Sequence, residues 1–339
     1  MSGLVRQQVP LSQYTTLHVG GVADYVYEVT TMEELGAACQ FAEQTGMPPL
    51  ILGGGSNMLI SDEGYRGVAL HVALQGKRYE EMEGGKVRLV VAAGEVFDEV
   101  VARTAEKGLW GLENLSSIPG TVGATPVQNV GAYGVEVASL IESVTAIHIQ
   151  TLEEKIFTNE ACQFGYRDSF FKTEAGKSWV ITSVTFILDS HVQPQLTYGD
   201  LAVLQEKSDL TPQTVRDTVV AIRAEKFPDW TVVGTAGSFF KNPIVSQEQY
   251  EQLKTLYAEL PGFVASDGRV KIPLGYVLDK VCSLRGYREG NVALYEKQAL
   301  VLVAYSGASA TEIKIFVEKI KKIVYEKTNI QIECEVRFI

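Results

Sequence analysis

The stretch ADYVYEVTTMEELGAACQFAEQTGMPPLILGGGSN, Ala23 to Asn57, contains a change of period that decides how this chain begins. Ala23 to Val29 alternates and is rich in β-branched and aromatic residues, the pattern of a strand with one buried face. Thr31 then stands where a helix N-cap belongs, acids follow at Glu33 and Glu34, and Gly46 closes an apolar run with helical spacing. A second short apolar strand runs directly into Gly53, Gly54 and Gly55. Strand, capped helix, strand and glycine turn in that order predict a small β-α-β unit over the first sixty residues.

The glycine turn can act in two ways. Glycines after a strand let backbone N–H groups turn inward and cradle an anion, or they can simply make a tight turn. It is not a dinucleotide fingerprint, because Met58 stands where the third glycine would be, and no G-K-[ST] follows to make a P-loop.

Outward from this unit the pattern changes. From Gly67 to about Asp189 short strand signals dominate (GVALHV, VRLVVAAG, SVTAIHI, WVITSVTFIL), with one helix near Val96 to Lys107, as expected of a mixed α+β lobe. A helix opens at Thr211 and Pro212 and stops at Pro228, where the next boundary is placed. SQEQYEQLKTLYAEL and TEIKIFVEKIKKIVYEKTN repeat apolar residues at spacings of three and four, so both are amphipathic helices. The final IQIECEVRFI reads as a strand with Ile330, Ile332, Cys334 and Val336 on one face.

Composition narrows the function classes. The chain has 339 residues, 46% of them hydrophobic and 21% charged, with a formal net charge of -11, so a basic nucleic-acid footprint is not expected. No run of eighteen apolar residues or N-terminal leader pattern is present, which predicts a protein neither secreted nor spanning a membrane. Cys39, Cys162, Cys282 and Cys334 form no C-x-x-C pair and suit buried thiols in a reducing cytoplasm better than a metal or disulfide framework.

Three further motifs carry chemistry. LSSIPGTVGATPVQNVGAYG, Leu115 to Gly134, is a long glycine-bearing connection whose interleaved Ile118, Val122, Val127 and Val130 argue for an ordered loop, either lining a ligand or closing as an Ω-loop. In YRDSFFK, Tyr166 to Lys172, Arg167 could clamp a carboxylate or pair with Asp168 at the surface. In GTAGSFFKNP, Gly234 to Pro243, a nucleophile elbow would need glycine where Phe240 stands, and none of the four histidines sits in a recognisable partner motif. Ser238 is therefore a poor nucleophile candidate, and a proton donor or a plain turn serine remain. Glu335, beside Arg337 on the last strand, reads by itself as a solvated charge.

Taken together, TTLHVGG (Thr15 to Gly21), ILGGGSNML (Ile51 to Leu59), NLSSIPGTVGATPVQNVGAYG (Asn114 to Gly134), YRDSFFK, GTAGSFFKNP, EKQALVLV (Glu296 to Val303) and ECEVRFI (Glu333 to Ile339) span nearly the whole chain in order. This set resembles the UDP-N-acetylenolpyruvoylglucosamine reductase family, and LTYGDL (Leu196 to Leu201) resembles its larger class, in which a tyrosine loop covers the substrate. Thr15 stands where that family usually has asparagine, and Cys334 where it often has proline.

The resemblance implies an α+β fold: a two-lobed FAD-binding fold of the vanillyl-alcohol-oxidase type plus a third α+β substrate-binding domain. Expected bounds are residues 1–66 for the first flavin lobe and 67–228 for the second, with the tyrosine loop near 190–210 and the lobe rejoined by 330–339. The substrate domain is expected over 229–329. Noncovalent FAD is expected on Gly53, Gly54, Gly55, Ser56, Asn57, Ile118, Pro119, Gly120, Gly123, Gln128, Asn129, Gly131 and Arg223. Tyr198, Lys226 and Asn242 are expected at the substrate diphosphate, and Gln298 at its sugar-nucleotide region. NADPH would reduce the flavin, and the enolpyruvyl ether would then take hydride at C3 and a proton at C2. The resemblance makes Ser238 the proton donor, and gives Arg167 and a Glu335 of raised pKa the support of the carboxylate. It also implies a cytoplasmic, monomeric enzyme of peptidoglycan precursor synthesis with no metal, no nucleic acid and no membrane partner. Another flavin oxidoreductase of the same superfamily, a serine hydrolase and a non-redox nucleotide-sugar binder are the alternatives.

Overall fold

The stretch from Ala23 folds as its pattern predicts. In the computed structural model, which describes residues 5–191, 194–265 and 267–339, strand Val22–Val29 leads into helix Met32–Thr45. Thr31 Oγ1 accepts from the Glu34 amide at 3.1 Å and the Glu34 carboxylate accepts from the Thr31 amide at 3.2 Å, a reciprocal cap that satisfies two donors with no helical partner. Gly46 ends the helix at φ 66°, a conformation glycine adopts without a Cβ penalty.

Strand Pro49–Leu52 follows and pairs in parallel with strand Tyr65–Val72, Leu50 opposite Ala69. The first sheet runs in the order Val5–Pro10, Val22–Val29, Tyr65–Val72, Pro49–Leu52. The boundary expected at residue 66 therefore falls inside a strand. GVALHV belongs to the first sheet because Val68, Ala69 and Leu70 are fully buried there, on both faces of the pleat.

A second, antiparallel sheet takes the order Glu154–Thr158, Ile141–His148, Trp179–Asp189, Lys86–Ala92, Lys77–Glu81. Leu35, Val68 and Leu70 share one hydrophobic core with Val91, Phe97, Val144, Val184 and Phe186. The two lobes expected from the resemblance thus form a single unit, made, among the described residues, of 5–9, 23–55 and 66–223.

The second unit comprises residues 10–22, 56–65 and 224–339. Its four-stranded sheet has the order Gly234–Ser238, Val301–Ala304, Val292–Leu294, Arg288–Glu289, accompanied by amphipathic helices Gln247–Leu256 and Ala310–Thr328. The terminal residues 330–339, expected to rejoin the middle lobe, instead place Ile330, Ile332 and Val336 in the core of this unit with Leu59 and Phe239. Strand Arg337–Phe338 pairs in parallel with Met58–Leu59. Two further ties bring early residues to this unit: Thr16 Oγ1 donates to the Thr235 carbonyl at 2.6 Å, and Asp62 accepts from the Ala310 and Thr311 amides at 2.7 and 2.8 Å. Asp62 thereby meets the orphan donors and positive dipole end of the last helix.

Candidate active site

In the first unit the glycine turn lies against the long loop, backbone to backbone. A Cβ on Gly54 would come within 2.7 Å of Gly120 Cα, and one on Gly53 within 2.6 Å of Thr121 Oγ1. Gly120 itself has φ 120°, and a Cβ on Gly123 would meet Ala93 at 2.6 Å. Only bare backbone fits at this approach.

The long loop is ordered throughout. It makes a single 3-10 turn at Val122–Ala124, then a hairpin in which Gly131 faces Glu136 and Ala132 faces Val135. The turn residues Tyr133 and Gly134 both have positive φ, 48° and 85°, as a two-residue hairpin with right-handed strand twist requires. Ile118, Val127 and Val130 pack on the core of the unit.

YRDSFFK fastens this loop. Arg167, itself at φ 54°, donates from Nη2 to the Gly131 carbonyl at 2.6 Å and from Nη1 to the Asn129 carbonyl at 3.4 Å. Ser169 Oγ donates to the Val127 carbonyl at 2.6 Å. Buried Asn129 donates from Nδ2 to Glu136 at 2.8 Å and to the Gly165 carbonyl at 3.0 Å. The surface-pair alternative for Arg167 gives way to these contacts, because exposed Asp168 accepts instead from the Ser169 amide at 3.0 Å.

A second cluster holds the start of the loop. Asp98 forms a two-pronged pair with Arg216, at 2.6 and 3.0 Å, and also accepts from the amide of Ser117. Burial acts to raise the Asp98 pKa, but the Arg216 and Ser117 hydrogen bonds outweigh it and hold the carboxyl below its usual range. Arg223 donates from Nε to the Ser117 carbonyl at 3.2 Å and shares a hydrogen bond with the Tyr133 side chain. Burial pushes the Tyr133 hydroxyl up to about 12, with Arg223 opposing. Tyr198 rests edge-on against the Tyr133 ring, centroids 5.4 Å apart.

In the second unit the segment after Ser238 runs antiparallel to the chain terminus. The Glu335 amide donates to the Phe239 carbonyl at 2.8 Å, and Phe240 bridges to Cys334. Ser238 and Glu335, far apart in sequence, thus occupy neighbouring ladder positions, both half-buried. Asn57 Nδ2 donates to the Glu335 carbonyl at 3.2 Å. Phe239 and Phe240 are fully buried, so Ser238 is the last residue of its strand before the core closes. Asn242 Oδ1 accepts from the Leu274 amide at 2.9 Å, and Gln298 Oε1 from the Leu300 amide at 3.3 Å. A Cβ on Gly275 would lie 3.0 Å from that same Gln298 oxygen, so Asn242 and Gln298 flank one short helix, Leu274–Tyr276.

Comparison with known proteins accounts for both units. An FAD binding domain family model matches residues 23–155, and the C-terminal domain model of UDP-N-acetylenolpyruvoylglucosamine reductase matches 229–339. A protein named UDP-N-acetylenolpyruvoylglucosamine reductase from Paraburkholderia phytofirmans is 41% identical over 96% of this chain and 95% of its own. One of the same name from Porphyromonas gingivalis is 39% identical over 99% of each. The chain belongs to the UDP-N-acetylenolpyruvoylglucosamine reductase family. The crystal structure of the reductase from Thermus caldophilus superposes with a TM-score of 0.70 at 25% identity, covering 99% of both chains.

For a member of this reductase family the glycine approach takes on a meaning. The FAD-binding match contains both loops that meet at Gly54 and Gly120. None of the three glycines has a cysteine or histidine beside it in sequence, the residue types through which flavin is attached covalently. Among the described residues no group of His, Cys, Asp or Glu could hold a metal ion, and no helix is long and apolar enough to cross a membrane.

Sequence reasoning missed Asp98, Arg216, Tyr133 and Asn114. The first two pair across 118 positions and leave no local pattern, and Asn114, though it heads a quoted motif, works through backbone carbonyls, so its role is not written in the motif. Tyr133 lay within a motif already quoted, and Gly134 directly after it was the available turn signal.

Proposed function

We propose that this protein reduces UDP-N-acetylenolpyruvoylglucosamine to UDP-N-acetylmuramate in peptidoglycan precursor synthesis, as a cytoplasmic monomer with noncovalent FAD and NADPH as reductant. The observation that carries this reading is identity at about the 40% level along nearly the whole chain with reductases of that name. When bound, FAD supplies the hydride, taken from NADPH and passed to C3 of the enolpyruvyl group.

The remaining work falls to the chain's own residues. Hydride addition at C3 leaves negative charge on C2, spread into the adjoining carboxylate. Arg167 offers that carboxylate a planar fork of five donors, of which the loop carbonyls take part, and Glu335 offers a proton-sharing carboxyl. Ser238 gives its hydroxyl proton to C2. A serine hydroxyl is a weak acid, but a carbanion-like carbon is base enough to take its proton when the hydroxyl is aimed at it. The half-buried setting of Ser238 before Phe239 and Phe240 limits its freedom and the water around it. Tyr198, Lys226 and Asn242 are read as diphosphate contacts and Gln298 as a sugar-nucleotide contact.

Anaerobic stopped flow tests the reading. NADPH should bleach the flavin of the yellow, purified protein, and UDP-N-acetylenolpyruvoylglucosamine added next should restore the colour with formation of UDP-N-acetylmuramate. A colourless protein that cannot take up FAD, or reduced flavin that the enolpyruvyl ether leaves reduced, refutes it.

A further inference from the structure

Asn114 is fully buried, in the 3-10 turn Glu113–Leu115, with equally buried Leu112 and Leu115 on either side. Its Nδ2 donates to the Tyr133 carbonyl and to the Gln195 carbonyl, both at 2.8 Å, while its Oδ1 is buried with no hydrogen-bond partner among the described residues. Leucine, like its neighbours, would occupy that volume with no unsatisfied oxygen. The polar residue is explained by the two carbonyls it joins. One nitrogen bearing two N–H groups can bridge two acceptors; aspartate cannot, serine has a single donor, and a flipped amide would set oxygen against both carbonyls.

Those carbonyls belong to two different segments. Tyr133 is at the tip of the hairpin in the long loop, and Gln195 precedes by three residues Tyr198, whose ring sits on that of Tyr133. Further along, Leu201 and Leu204 pack with Trp110, Tyr133, Val215 and Val219. Gln205 Nε2 folds back to the Leu196 carbonyl at 3.1 Å. The later part of the segment is held by the fully buried Leu201 and Leu204, whereas its beginning has only half-buried Leu196 on the same cluster together with the Asn114 carboxamide. Tyr198, 49% exposed, lies between the two anchors.

We propose that Asn114 is a positioning residue: its carboxamide latches residues 194–205 to the Tyr133 hairpin and so sets Tyr198 for the substrate. The effect on substrate rests on the reading of Tyr198 as a diphosphate contact; the latch itself does not. Asn114→Leu and the smaller Asn114→Ser test it in the FAD-loaded enzyme, with the flavin absorption spectrum as the check on folding.

Hydrogen exchange of amides in 194–205 should quicken in both variants. The KM for UDP-N-acetylenolpyruvoylglucosamine should rise about tenfold, with flavin reduction by NADPH changed by less than about twofold. Because the latch acts through Tyr198, the double variant with Tyr198→Ala should have the KM of Tyr198→Ala alone, a coupling that a general loss of stability would not produce. Unchanged exchange in 194–205, or KM effects that multiply in the double variant, overturns the proposal. If Tyr198→Ala alone leaves KM unaltered, the reading of Tyr198 fails separately, and exchange in 194–205 decides for or against the latch.

Discussion

At the scale of single residues, the two glycine loops and the serine make distinct demands. Gly54 has no room for a methyl group, since the atoms a Cβ would strike, Gly120 Cα and C at 2.7 and 3.2 Å, are backbone and cannot rotate away. Gly54→Ala should therefore push the two loops apart and weaken FAD binding at least about tenfold, as titration of the stripped protein with FAD will measure. Full retention of flavin would mean that the approach is not part of the cofactor cradle. Ser238→Ala tests the opposite kind of residue, one whose side chain is proposed to be the active part. Flavin reduction by NADPH should persist near the wild-type rate, while the rate at which substrate reoxidises the flavin falls by about 10²-fold or more, the usual worth of a positioned general acid. Unimpaired reoxidation would remove Ser238 from the mechanism and leave it a turn residue.

At the scale of elements, the contact between helix Phe97–Glu106 and helix Pro212–Lys226 is tied by Asp98 and Arg216, with Ser117 at the head of the long loop as a third member. The Asp98 pKa lies below its unfolded value, so the tie contributes fully above about pH 4 and is lost as pH falls through the folded-state value. Asp98→Asn should cost about 1–3 kcal/mol in urea unfolding at neutral pH, and the gap to wild type should narrow on acidification below about pH 4. A gap constant from pH 7 to 3 would show that the carboxylate charge is not what holds the helices. What the sequence made legible follows the same division between local and distant causes. Thr31, Glu34 and Gly46 act within one helix, so its ends were readable from spacing alone. The parallel partner of Pro49–Leu52, the burial of the terminal segment beside Phe239 and the Asp62 cap on a helix 248 positions away depend on contacts that leave no periodic trace. Motif likeness singled out Ser238, Arg167 and Glu335, and the ladder between Phe239 and Glu335 explains why two of them recur at such distance. Of the residues that hold those motifs in place, Asn114 stood inside a quoted motif without a role, because it binds backbone, and Asp98, which meets a remote charge, stood outside every motif.

At the scale of the whole molecule, the chain passes between its two units at Val9/Pro10, Val22/Ala23, Gly55/Ser56, Tyr65/Arg66 and Arg223/Ala224. Neither unit is a continuous segment, so neither can be cut out and expected to fold by itself, and stability must be read on the full chain. One crossing falls within the glycine turn, directly after Gly55. A ligand that binds the folded chain and not the unfolded one stabilises it by mass action, about 2.7 kcal/mol at a hundredfold excess over its Kd. For a chain of this length that corresponds to a rise in Tm of roughly 4 °C, growing with the logarithm of FAD concentration. Stripped protein titrated with FAD in a thermal melt should show that dependence, and Gly54→Ala should shift the curve to higher FAD concentration without lowering the Tm of the stripped protein by a comparable amount. A Tm indifferent to FAD would break the link between the glycine loops and the cofactor, whereas a stripped Gly54→Ala protein that melts far below wild type would make the glycine approach a requirement of the fold itself.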